Sequence, residues 1–107
     1  MSHEIPAAVQ RVLAAIAEQD NDAFVAAFAE DGYVDDWGRQ FRGPDRIRSW
    51  SENELIGKRA TFTGTNVSTP GNPLTIATLV GGDGFNGPSH FTFEVQDDRI
   101  ASMTITA

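Results

Sequence analysis

The stretch that decides the predicted fold is FAEDGYVDDWGRQFRGPDRIRSW, residues 28–50. Its glycines and its proline predict the end of one helix, a tight hairpin and the start of another helix. The hairpin turns at Trp37-Gly38, because glycine at the second turn position suits a two-residue loop. Asp35 and Asp36 precede this turn among aromatic residues. One carboxylate could therefore face an apolar space, where burial raises its affinity for a proton.

Three helices are predicted in the first half of the chain. Apolar residues recur at helical spacing across residues 5–18, which is typical of an amphipathic helix. A second, short helix is predicted after the EQDND turn and ends near Gly32. The third helix begins at Pro44, since proline is tolerated in a first turn. The short turn between the first two helices predicts a helical hairpin.

Strands are predicted around the hairpin and throughout the second half. The hairpin contributes two very short strands, residues 33–36 and 39–42. Beyond Lys58 the apolar period changes to two residues, and threonine and β-branched residues accumulate. The predicted strands there are TFTGTNVST, LTIATLV, HFTFEVQ and IASMTIT. Strands that follow one another in this way form an antiparallel meander, so the predicted fold class is α+β, with three helices covering one face of a curved antiparallel sheet.

The composition narrows the class of protein. A chain of 107 residues, 40% hydrophobic and 21% charged, can form one core, so residues 1–107 are predicted to be a single domain. The net charge of −7 disfavours a nucleic-acid partner, because phosphate contacts need clustered lysine and arginine. The chain has no cysteine, which excludes disulfides, zinc–thiolate sites and a cysteine nucleophile.

No membrane, metal or cofactor is expected as a partner. No window is apolar enough for a membrane span, and the first residues lack the pattern of an export signal, so we expect a cytoplasmic protein. Two histidines and no cysteine leave only carboxylates for a metal, without the spacing of a calcium loop. The glycine-rich GGDGFNGP lacks the lysine and hydroxyl residue of a phosphate-binding loop.

Asp36 and His90 are the candidate catalytic residues. A carboxylate at the mouth of an apolar pocket can take a proton from a carbon next to a carbonyl. The alternative is that Asp35 or Asp36 closes a turn at the hairpin. His90 begins an aromatic strand and could donate a proton or hold an oxyanion, or it could be a hydrogen-bonded wall residue. The other histidine, His3, lies near the N-terminus.

Aromatic residues are the candidates for lining a pocket, since aromatic walls are usual in ligand sites. The candidates are Tyr33, Trp37, Trp50 and Phe62. The alternative is ordinary core packing, and Trp50 on the third helix is the strongest candidate of the four.

The order of these elements resembles a known superfamily. A helical hairpin, an acid-bearing segment that ends in G-x-x-x-I, a third helix and a four-strand meander resemble the nuclear transport factor 2-like superfamily. Residues 9–50 are particularly similar to its SnoaL-like polyketide cyclase and steroid Δ5-isomerase branches. The resemblance implies a cone-shaped, cystatin-like roll. It places Asp36 where the isomerases keep their general base, and Trp50 at a helix position that faces the pocket.

The chain departs from the isomerases at the residues that would hold an oxyanion. Val12, after Arg11, occupies the place of their tyrosine, and their second oxyanion acid falls near His90 or Phe91. Glu94 is out of phase with the inward side chains of its strand, so no second inward carboxylate is predicted. Steroid isomerisation by the tyrosine and protonated-acid mechanism is therefore not expected. The short chain implies a smaller ligand.

Two functions stay open at this point. The first is a cofactor-independent cyclase or isomerase, in which Asp36 shuttles a proton on a small carbonyl compound and His90 or a backbone group steadies the enolate. The second is a non-catalytic ligand-binding or dimerisation module with the same fold. In either case we expect a small hydrophobic or carbonyl ligand, and a homodimer that pairs through the sheet.

Overall fold

The computed structural model describes residues 5–107, so His3 lies outside the described part. It contains three α-helices, a 3₁₀ turn and six strands. The helices are α1 (Ala7–Glu18), α2 (Asn21–Ala26) and α3 (Pro44–Glu54), and the 3₁₀ turn is Ile56–Lys58. The strands are β1 (Phe28–Asp36), β2 (Arg39–Arg42), β3 (Thr61–Thr69), β4 (Leu74–Gly81), β5 (Gly87–Gln96) and β6 (Arg99–Thr106).

The six strands form one curved sheet in the order β2-β1-β6-β5-β4-β3. Strands β3 to β6 pair antiparallel with their sequence neighbours, which confirms the predicted meander. β1 pairs antiparallel with β2 but parallel with β6, so the sheet is mixed. The α+β class and the three helices are confirmed, and the helices pack on one face of the sheet.

The prediction for the second helix is wrong at its C-terminal end. α2 ends at Ala26, and the chain is already in β1 at Phe28. Phe28 is buried, and its ring packs edge to face on that of Phe24, with 5.2 Å between the ring centroids. Burial in the core therefore overrides helix propensity here. Gly32 is not a helix cap. A Cβ on Gly32 would lie 2.8 Å from the carbonyl oxygen of Ile100, so glycine permits a close approach of backbones.

The hairpin between β1 and β2 forms where the sequence predicts it. Trp37 and Gly38 have φ angles of 55° and 92°, which is the backbone of a two-residue type I′ turn. The Asp35 carboxylate accepts a hydrogen bond from the Gly38 amide at 2.8 Å and closes the turn. This turn fixes the register in which Asp36 pairs with Arg39.

The two faces of the sheet differ in chemistry because successive strand residues point to opposite sides. The inner face, which packs on the helices, carries buried apolar residues such as Val34, Phe93 and Met103. The outer face carries polar residues, among them the half-buried threonines Thr75 and Thr92, whose hydroxyls lie 2.9 Å apart. Across residues 5–107, none of the helices has the length and apolar character to cross a membrane.

Candidate functional site

A cavity of about 330 Å³ opens between α3, the 3₁₀ turn and the inner face of the sheet. Its apolar wall comes from Trp50, Leu55, Ala60, Val80, Phe91 and Ile105. All six residues are buried, so packing in the core fixes the positions of their side chains. Two exposed aromatics, Trp37 and Phe85, also line the cavity, from the β1–β2 and β4–β5 turns.

Asp36 lies at the edge of this cavity. It is two residues from the buried Val34 on β1, so both side chains point to the inner face. Its Oδ2 atom accepts two hydrogen bonds, from Trp50 Nε1 at 3.1 Å and from an Arg39 guanidinium nitrogen at 2.5 Å. The side chain is only 13% exposed. No donor to its Oδ1 atom is found within residues 5–107, so that oxygen remains available.

Arg39 joins two carboxylates at the cavity mouth. Besides Asp36, it binds both oxygens of Glu54, at 2.8 and 3.0 Å. These two partners raise the pKa of Arg39 above its ordinary value, chiefly through their hydrogen bonds. Both oxygens of Glu54 are therefore occupied, whereas Asp36 keeps one oxygen without a protein donor. The sequence interpretation missed Arg39 and Glu54, although the two-residue turn already sets position 39 opposite position 36.

Asp35 points to the other side of the sheet. Its carboxylate accepts from the Gly38 amide and from the side chain of Gln40, so it is the acid that closes the turn. The two alternatives left open for the acidic pair therefore apply to different residues. Asp35 caps the hairpin, and Asp36 faces the cavity.

Of the four aromatic candidates, the structure brings Trp37 and Trp50 to the cavity. Tyr33 and Phe62 do not line it. Tyr33 lies on the outer face, where the Arg42 guanidinium stacks over its ring, with Cζ 4.5 Å from the ring centroid. Phe62 lies on the inner face, but its ring packs on that of Phe91, with 4.7 Å between the ring centroids. It therefore packs against the core beside the cavity.

His90 belongs to the outer face of β5 and not to the cavity. It alternates with Ser89 and Phe91, which are buried and line the cavity. Its ring Nδ1 lies 2.9 Å from the backbone carbonyl oxygen of Ala107, and the residue is partly exposed. The structure therefore does not bring His90 together with Asp36, and the expectation of a shared pocket is corrected.

Other polar groups reach the cavity in the place of His90. Asn53 and Lys58 line it from α3 and the 3₁₀ turn and are exposed, whereas Ser89 is buried. Val12 is fully buried in the core, and Glu94 accepts from Ser102 on the outer face, as its phase predicts. The sequence interpretation did not include Ser89 among the cavity residues, although its position two residues before Phe91 sets both on one face of the strand.

Solved structures with the same fold cover almost the whole chain. A protein from Sphaerobacter thermophilus superposes with a TM-score of 0.82 and 25% identity, over 96% of each chain. A candidate polyketide cyclase from Sinorhizobium meliloti gives 0.80 and 23% identity, over 95% of each chain. A protein with a ketosteroid isomerase-like fold from Catenulispora acidiphila, in complex with trimethylamine, gives 0.79 and 22%, over 97% of this chain and 87% of its own. The shared fold is the nuclear transport factor 2-like fold, since a protein of that fold from Cytophaga hutchinsonii superposes with a TM-score of 0.79 at 13% identity, over 99% of this chain and 93% of its own.

Within that class the sequence itself identifies the family. The model of the SnoaL-like domain family matches residues 9–103, so the chain belongs to the SnoaL-like domain family. The predicted resemblance is thereby confirmed. A search of curated proteins found no significant match. Because one fold hosts many functions, the function has to be argued from the cavity.

Proposed function

We propose that this protein binds a small, largely apolar carbonyl compound in the cavity and that Asp36 transfers a proton on it. The observation that carries the proposal is the state of the Asp36 carboxylate. Trp50 and Arg39 hold its Oδ2 atom, and Asp36 lines the cavity with no donor to its Oδ1 atom among residues 5–107. A base that is fixed by one oxygen and free at the other is suited to proton transfer.

The volume and the aromatic lining of the cavity favour a small, flat ligand. Its volume of about 330 Å³ lies at the lower end of the roughly 300–1,000 Å³ typical of small-molecule sites. Aromatic side chains, Trp37, Trp50, Phe85 and Phe91, contribute to its lining. Binding of a small molecule by a relative is consistent with this, since the Catenulispora acidiphila protein was solved with trimethylamine.

The proposed step is the formation of an enolate. Oδ1 of Asp36 takes a proton from the carbon next to the carbonyl, and the C–H electron pair becomes the new C–C double bond. The carbonyl π electrons move to oxygen, where a donor must steady the charge. The Lys58 ammonium and the Asn53 amide line the same cavity and can serve as that donor. In a β,γ-unsaturated ketone, return of the proton from Asp36 to the γ carbon gives the conjugated isomer. In a compound with a second carbonyl, attack of the enolate carbon on that carbonyl gives a ring, and the proton on Asp36 passes to the alkoxide that forms.

Hydrogen exchange tests the proposal without knowledge of the natural substrate. The probe is 2-acetonaphthone, a flat ketone whose methyl protons exchange with D₂O only through the enolate. We expect the protein to accelerate this exchange, measured by NMR, and we expect Asp36→Asn to abolish the acceleration while ketone binding persists. Asp35→Asn is the matched control, because it changes the adjacent acid on the outer face. Equal exchange rates with Asp36→Asn and the unmodified protein would exclude Asp36 as the base.

The alternative is a ligand-binding module without catalysis. One observation favours it: the oxyanion tyrosine of the isomerases is replaced by Val12, which is sealed in the core. In that case Asp36 serves only to hold Trp50 and Arg39 in place. The same measurement separates the two functions, since a pure binding module would bind 2-acetonaphthone in calorimetry and leave its methyl protons at the uncatalysed exchange rate.

We further propose that the protein forms a homodimer through the outer face of the sheet. Thr75, Thr92 and Thr104 form a continuous row across β4, β5 and β6, and Leu79 on the same face is 54% exposed. A polar face of small side chains can pack closely against a second copy. Thr92→Arg should convert the dimer to a monomer in light scattering, whereas Ala17→Arg on the exposed side of α1 should not. A monomeric unmodified protein would refute the dimer.

A further inference from the structure

Ser89 is a buried hydroxyl that the proposed proton transfer does not use. It lies on the inner face of β5, lines the cavity and is only 3% exposed. Within residues 5–107 its side chain makes no hydrogen bond, yet it is not sealed in protein as the Ser51 hydroxyl is. A hydroxyl that lines the cavity and has no partner among the described residues is available to a polar group of a molecule that enters there.

The hydroxyl of Thr78, next to Ser89 in the sheet, does find hydrogen-bond partners within the protein. Thr78 pairs directly with Ser89 across β4 and β5 and is similarly buried. Its hydroxyl lies 2.8 Å from that of Thr65 and 3.2 Å from the carbonyl oxygen of Thr63. Thr78 is thus satisfied within the sheet, whereas Ser89 faces the cavity alone.

The register of the sheet separates Ser89 from Asp36. Asp36 pairs with Ile105, which pairs with Phe91, and Ser89 is two residues from Phe91 on the same face. Two strand spacings and two residues set the Cα atoms of Asp36 and Ser89 roughly 12 Å apart along the sheet. Asp36 and Ser89 therefore lie at different places along the cavity wall, and the enolate oxygen already has proposed donors in Lys58 and Asn53. That leaves Ser89 for another oxygen atom of the ligand.

We propose that Ser89 positions the ligand by a hydrogen bond to a second oxygen function, at the far end from the carbonyl. The ligand class is then a flat compound with two oxygen functions, a ketone beside Asp36 and a hydroxyl or carbonyl beside Ser89. This inference rests on the proposed function for the binding site. It makes Ser89 a determinant of specificity and leaves the proton-transfer step to Asp36.

A matched pair of ketones tests the inference. The probes are 2-acetonaphthone and 6-hydroxy-2-acetonaphthone, which differ by a hydroxyl at the far end of the rings from the acetyl group. Calorimetry should show that the hydroxylated ketone binds about three- to tenfold more tightly, the effect of one added hydrogen bond. Ser89→Ala should remove this difference and leave the affinity for the parent ketone unchanged. Ser51→Ala, a buried serine outside the cavity, should keep the difference.

The exchange reaction gives a second readout. With 6-hydroxy-2-acetonaphthone, Ser89→Ala should raise the ketone concentration that gives half-maximal exchange about three- to tenfold, through the loss of one hydrogen bond, whereas Ser51→Ala should leave that concentration unchanged. Equal affinities of the unmodified protein for the two ketones, or an equal loss of both with Ser89→Ala, would overturn the role of Ser89 and leave the proposed function standing. If neither ketone binds the unmodified protein, the proposed function fails and this inference fails with it.

Discussion

The hydrogen bond from Trp50 to Asp36 predicts a measurable loss of stability in Trp50→Phe. The substitution keeps an aromatic ring in the core but removes the Nε1 donor. Loss of one hydrogen bond costs about 1 kcal/mol here, below the roughly 1.5–3 kcal/mol usual for a charged acceptor, because Arg39 still donates to the same oxygen. The smaller ring buries about 40 Å² less apolar surface, which is about 1 kcal/mol more. We therefore expect the free energy of unfolding to fall by about 2 kcal/mol.

Urea unfolding followed by far-ultraviolet circular dichroism measures this change. A loss of that size should lower the urea midpoint by about 1 to 2 M with an unchanged slope. Trp37→Phe is the matched control, because Trp37 is 61% exposed, and it should change stability by less than about 0.5 kcal/mol. In a double-mutant cycle with Asp36→Ala, the coupling energy should be about 1 kcal/mol. Equal midpoints for the two tryptophan variants would refute the hydrogen bond.

Three further predictions concern the fold. Gly32→Ala should destabilise by about 1–2 kcal/mol, because its Cβ would meet backbone oxygens. Gly81→Ala should cost less in the same urea titration, because its Cβ would meet only the side chains of Thr61 and Asn86. Ser51→Ala should raise the free energy of unfolding by up to about 1 kcal/mol, since it removes a buried hydroxyl without a partner, and a lower midpoint would contradict this. Arg59 lowers the pKa of Asp83 through a hydrogen bond, so the pair stabilises the fold above about pH 4 and the stabilisation is lost as the pH falls further. The difference in stability between the unmodified protein and Arg59→Gln should therefore disappear towards about pH 2. A difference that stays constant with pH would exclude a stabilising ion pair.

Local patterns predicted the parts of the fold that depend only on residues close together in the sequence. The alternation of β3 to β6 and the glycine of the β1–β2 turn belong to this group. The sequence could not predict β1 correctly at its start. Residues 28–32 continue a helical pattern, and they become a strand because β6 offers backbone partners that are distant in the sequence.

The candidate site divides in the same way. The predictions for Asp36 and Trp50 rest on the resemblance to the isomerases, since strand alternation alone leaves open which of Asp35 and Asp36 points inward. His90 is a catalytic candidate for its imidazole and for its place near the second oxyanion acid of the isomerases, but the alternation that sets Glu94 outside also sets His90 outside. That same alternation turns Ser89 inward. The contact of Arg39 with Glu54 depends on how α3 crosses the hairpin, which no local pattern specifies.

The parallel pairing of β1 with β6 has a consequence for synthesis of the chain on the ribosome. Asp36 lies beside Ile105, a partner about 70 positions later, so this pairing raises the contact order of the fold and should slow its folding. During translation the first strand and the helices emerge well before residues 99–106 do. A nascent chain therefore carries the acid without the strand that completes the cavity, and no ligand can bind in that cavity until the last strand has docked.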